Sequence, residues 1–195
     1  MHITASLVAQ LREKTGVGMM DAKKALLDAG GDEAKAVAIL RKKGMKAVEK
    51  RQSKAANEGV VEAYVHTNAK VGVLVALACE TDFVARNAEF RALAHEIALH
   101  AAAMSPRYMK PEDVPAETLA QEKEIYRAQL RAEKKPEAMM DKIIEGKIQK
   151  FYQDHCLLKQ PFVKDEEKTV EDLITAATAK LGEKIELKSF ARIEI

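Results

Sequence analysis

Tryptophan is absent from this chain of 195 residues, and aromatic residues make up only 5% of it. Each phenylalanine and tyrosine is therefore a candidate for a specific task. The two cysteines, Cys79 and Cys156, show no CxxC spacing and no disulfide framework, and they read as ordinary thiols of a reducing compartment. No apolar run approaches the roughly 20 residues needed to span a bilayer. The opening Met1-His2-Ile3-Thr4-Ala5-Ser6 lacks a charged stretch followed by an apolar one, so no secretory leader is expected and the cytoplasm is the expected location. An excess of one charge is missing too. The formal net charge of +2 excludes a dominant non-specific attraction of the whole molecule to nucleic acid or an anionic membrane.

Catalytic furniture is equally scarce. Gly16-Val17-Gly18 has no following Lys-Ser/Thr and no buried strand before it, so it is no phosphate loop. His95 and His100 share a helical segment, but a spacing of five does not set two ligands on one face, and both read as surface residues. Cys79 has carboxylates beside it but no obvious base, and a structural thiol at a strand end is the simpler reading. No metal, no cofactor and no enzymatic activity are expected.

What is present is a chain 47% hydrophobic and 32% charged, enough for one core and a small second unit. A Thr/Ser start before Leu7, Val8 and Leu11 predicts a helix that Thr15-Gly16-Val17-Gly18 breaks. Asp21 is the expected N-cap of a second helix with Ala22, Ala25, Leu26 and Ala29 inward. Gly30-Gly31-Asp32 ends it and caps a third, with Ala36, Val37, Ile39 and Leu40 inward. A three-helix bundle over 1–43 follows. Residues 44–57 form a basic linker overlapping the stretch Arg41–Lys54, which is either a solvated helical face or a docking strip for an acidic or RNA surface.

From Glu58 the apolar period changes to two. Glu58–Thr67 and Val71–Cys79, joined at Asn68-Ala69-Lys70, predict a β-hairpin whose second strand is buried on both faces. Asn87 can cap a helix carrying Phe90, Leu93, Ala94, Ile97, Ala98, Ala101 and Met104. Two further helices make a hairpin at about 117–153, Gln160–Asp165 is a turn, and Thr169 with Asp172 starts a last helix that Gly182 stops. Lys184–Ile195 alternates as a strand. The fold class is α+β: a small antiparallel sheet packed with helices over 58–195, after the bundle.

Two places read as surfaces for a partner. Met19 and Met20 follow a glycine loop, where flexible thioethers suit a groove on another protein; alternatively Met19 plugs the bundle. At Thr81-Asp82-Phe83-Val84, Thr81 or Asp82 can cap the turn, but Phe83 and Val84 lie about 100° apart and only one can face the core squarely. The residues alone leave open whether Phe83 belongs to this protein's core or to a partner's.

Leu11–Leu26, Cys79–Asn87 and Gln160–Asp165 resemble, in order, three motifs of the elongation factor Ts family, and the likeness spans essentially the whole chain in the family's short form. The resemblance implies a nucleotide exchange factor for the GTPase elongation factor Tu. It implies a ubiquitin-associated-like bundle touching the partner through Leu11, Arg12, Met19 and Met20, and a wedge at Thr81, Asp82, Phe83 and Val84 whose Phe83 enters the partner. The short form further implies a homodimer, using the exposed sheet or its terminal strand, in a two-plus-two complex with the GTPase. Three rivals remain: an adaptor built on the bundle, an RNA-binding protein using Arg41–Lys54, and a thiol enzyme at Cys79.

Overall fold

The structure, a computed structural model, describes residues 3–195, so the first two residues of the expected bundle lie outside it. Its elements in order are α1 (Ala5–Thr15), α2 (Met19–Asp28), α3 (Glu33–Arg51), β1 (Glu58–Val65), β2 (Val71–Cys79), α4 (Asp82–Ala85), α5 (Ala88–Met104), α6 (Ala116–Ala132), α7 (Glu137–His155), β3 (Pro161–Phe162), β4 (Asp165–Thr169), α8 (Val170–Leu181) and β5 (Glu186–Glu194). This is the α+β mixture that the apolar periods indicate. The strands pair in the order β1-β2-β5, with β3-β4 as a separate antiparallel pair. By compactness the chain divides into one unit of 1–60, 77–93 and 174–187 and another of 61–76, 94–173 and 188–195.

In the first unit, Thr4 caps α1 by accepting from the Leu7 N–H, and Asp32 caps α3 by accepting from the Lys35 N–H. Gly16 stops α1 at φ +70°, donating its N–H to the Arg12 carbonyl at 2.7 Å. Val8, Leu11, Ala22, Ala25, Leu26, Ala36 and Leu40 form the bundle core. Asp21 is not an N-cap: Gly18 holds that position, and Asp21 sits in the first turn of α2, where its carboxylate pairs with Lys43. The third helix runs on to Arg51, so residues 44–51 are helix continuous with the bundle.

In the second unit, α6 and α7 pack through Leu130, Met140, Ile144 and Ile148. Gln160–Asp165 carries more than a turn, because Pro161 and Phe162 pair with β4. Thr169 and Asp172 exchange hydrogen bonds as the capping box at the start of α8. Two expectations fail here. His100 is fully buried instead of at the surface: its Nε2 bonds Gln160 Oε1 at 3.0 Å and its Nδ1 accepts from the Val163 N–H at 3.2 Å. Strand β2 is not covered on both faces, since Val73 and Val75 are buried while Leu74 between them is exposed.

Strand β1 carries its apolar side outward. Val61, Ala63 and Val65 are exposed, whereas Glu62 and Tyr64 are half-buried against α5, with Glu62 bonded to His95 at 2.9 Å and the Tyr64 ring edge-on to the His95 ring.

Candidate partner-binding site

At the end of β2 the chain leaves the sheet and starts the four-residue helix α4. Thr81, not Asp82, is the cap: in extended conformation, its Oγ1 accepts from the Val84 N–H at 3.5 Å. The Ala85 N–H donates to the Thr81 carbonyl and the Arg86 N–H to the Asp82 carbonyl. Asn87 then accepts from the Glu89 N–H at 2.8 Å at the start of α5, two residues after α4 ends. Within this short turn Ala85 faces inward and is buried, Val84 is half-buried, and Phe83 is 83% exposed. Asp82 and Arg86 pair at 3.0 Å on the exposed side.

One residue that sequence reasoning passed over holds this corner. A single oxygen of the Glu183 carboxylate accepts from the Glu80 N–H at 3.1 Å and the Thr81 N–H at 3.0 Å, and the other accepts from the Thr81 hydroxyl at 2.6 Å. Glu80 reciprocates. Its carboxylate accepts from the Lys184 N–H at 2.7 Å and pairs with Arg51 at 2.8 Å. Nothing in the local sequence marks Glu183, which lies 102 residues from Thr81.

The N-terminal surface belongs to the same compact unit. Met19 and Met20 are the first two residues of α2, 48% and 75% exposed, so neither plugs the bundle; Val17 packs there instead. Arg12, on α1 before the loop, is exposed too. Leu11 is a correction to the expected set, since it is wholly buried in the bundle core and offers no surface. Behind the loop, the Lys180 side chain passes over Gly16 and its ammonium pairs with Glu89 at 2.8 Å.

The thiol at this corner is not activated. Burial, followed by the charge of Glu183, pushes the Cys79 thiol up to about 11, and its Sγ donates to the Thr81 carbonyl. A thiol so placed presents no thiolate near neutral pH. Among the described residues no group of three or more His, Cys, Asp and Glu could hold a metal ion, and no helix is long and apolar enough to cross a membrane. The arrangement can offer a rigid, exposed phenyl ring and an apolar thioether pair.

Comparison with known proteins supplies the frame. Residues 33–195 match the family model described as elongation factor TS, a match that begins beyond the Leu11–Leu26 motif. Whole-chain relatives extend over that motif too. The chain is 54% identical to an elongation factor Ts of Anaeromyxobacter dehalogenans, covering 98% of this chain and 87% of the relative. It is 54% identical to one of Moorella thermoacetica, covering 99% and 95% respectively. It is 51% identical to one of Fervidobacterium nodosum over all 195 residues, covering 99% of that relative.

Proposed function

Since the chain belongs to the elongation factor Ts family, a family of translation elongation factors, we propose that it is the guanine nucleotide exchange factor of elongation factor Tu. It binds the GTPase carrying GDP and promotes GDP release by disturbing the magnesium and phosphate site, which lets GTP enter. No covalent bond is made or broken, and no cofactor or metal of its own is needed. Its place of action is the cytoplasm.

One observation carries the reading: Phe83, an aromatic ring left 83% exposed on a capped, hydrogen-bonded corner. An apolar wedge on a rigid corner displaces packed elements of a partner instead of covering its surface. A factor that binds best to a GTPase whose nucleotide contacts are loosened weakens nucleotide binding by the same factor that nucleotide weakens its own. Release and rebinding both accelerate, and the partner's intrinsic preference between GDP and GTP is unchanged. Arg12, Met19 and Met20 supply a second contact from the bundle, with Leu11 only shaping it from within.

The exposed sheet face of the second unit supports the homodimer. Val61 and Val65 of β1, Leu74 of β2 and Ile193 of β5 are exposed, with Ile195 just beyond β5. Large apolar side chains exposed on neighbouring strands favour an interaction site, and a second copy presents the same face, as a two-fold interface requires.

The test is release of a fluorescent GDP from elongation factor Tu by stopped flow. This protein should accelerate release, and Phe83→Ala should lose most of that acceleration with its fold intact. Acceleration that survives Phe83→Ala keeps the function and removes the wedge. No acceleration by either protein overturns the exchange reading.

A further inference from the structure

We infer that Glu183 is a positioning residue for exchange: its carboxylate holds the Thr81 corner in the one conformation that presents Phe83. The inference rests on the wedge reading above and adds to it the device that keeps the wedge ready. A helix of four residues has no stability of its own, because nucleation costs more than so few bonds return. Phe83, being exposed, contributes no core packing to fix the corner either. Left to itself, α4 would populate many orientations, and ordering them on contact would subtract from binding.

Glu183 supplies what the short helix lacks. The N–H groups of Glu80 and Thr81 lie just where the chain leaves the sheet for α4. One carboxylate takes both of them and the Thr81 hydroxyl. Bonds to an ionised acceptor are roughly twice as strong as neutral ones. The hydroxyl is thereby oriented: its proton goes to Glu183, which leaves a lone pair for the capping bond from Val84. Glu183 thus acts on Phe83 through Thr81.

The Glu80 carboxylate closes the device in the other direction, on the Lys184 N–H and Arg51. The exchange of two glutamates ties the corner to the loop after α8 and to the end of α3. It links the bundle's own helix to the wedge within one compact unit.

A double-mutant cycle on catalysed GDP release tests this. With Phe83 present, Glu183→Ala should lower kcat/KM by about tenfold and Glu183→Gln, which keeps one acceptor oxygen, by about threefold. In the Phe83→Ala background both substitutions should change it by less than about twofold. If Glu183→Ala does not fold, the cycle with Glu183→Gln decides. Equal losses in both backgrounds, or no loss in the native one, overturn the positioning role. Amide hydrogen exchange separates this from failure of the wedge itself. The N–H groups of Glu80 and Thr81 should exchange faster in the Glu183 variants while α1–α3 keep their protection, whatever Phe83→Ala does to activity. Unchanged protection at those two amides overturns the clamp on its own.

Discussion

At Phe83 the chain forgoes about 1.5–3 kcal/mol that burying the ring would have contributed. Its neighbours account for the direction it takes. Ala85 and Val84 use the inward side of the turn, and Thr81 spends its hydroxyl on Glu183 and on the cap. His100 shows the opposite economy of placement, a polar ring wholly inside and bonded at both nitrogens. Since Nδ1 accepts from Val163, the ring is neutral with its proton on Nε2, donated to Gln160. Protonation would set two N–H donors against each other, and burial already holds the ring's pKa below its ordinary 6.5. The unfolded chain therefore takes up a proton near that value while the folded chain resists it, so stability is full above about 6.5 and falls as pH drops below it. The urea midpoint should accordingly fall between pH 7.5 and 5.5, and His100→Gln should lessen that fall. An identical fall in both proteins would show that other groups carry the acid sensitivity.

Among the elements, β1 departs furthest from the usual alternation, keeping Glu62 and Tyr64 inward and Val61, Ala63 and Val65 outward. Its start depends on Gly59, at φ +153°, where an added Cβ would collide with the Leu77 carbonyl oxygen and lie 2.8 Å from the Ala78 Cα. Backbone on the facing strand cannot swing aside as a side chain would. Gly59→Ala should cost about 2 kcal/mol or more, read as a lower urea midpoint with an unchanged slope. An unchanged midpoint would mean that the edge of the sheet adjusts freely there. Helix α3 is the other informative element. Its basic stretch reads in isolation as a linker or a docking strip, yet Lys43 pairs with Asp21 and Arg51 with Glu80. Part of its charge is committed within the molecule.

On the scale of the whole molecule, a net charge of only +2 places little repulsion between two copies. The outward face of the sheet has Val61 at 71% and Ile193 at 72% exposure. Sedimentation at micromolar concentration should give the mass of two chains. Val61→Lys combined with Ile193→Lys should give one, because facing lysines would bury unpaired charge. A native monomer at that concentration removes the dimer. A dimer that survives both lysines moves it to another surface.

The long helices, the caps at Thr4, Asp32 and Thr169 and the β1–β2 and α6–α7 hairpins were legible because their signals are local, whereas the cap expected at Asp21 was misplaced. Thr4, Asp32 and the Thr169–Asp172 pair each bond within three residues of themselves, and apolar periods report which side of an element is greasy. Those periods could not report what lies against a given side. Leu11 and Arg12 are adjacent in one motif, yet one is core and the other surface. The pattern of β1 hides that its apolar side faces out, and the histidine spacing hides that His100 is buried. The partner of Thr81 is a glutamate 102 residues away. Motif and periodicity by themselves determined the family likeness, the order of the long helices and of the three sheet strands, and the candidate turn, but not the β3–β4 pair or the length of α3. Only tertiary structure decided which candidates are exposed and what holds them, because burial and long-range hydrogen bonds depend on residues brought together from distant parts of the chain.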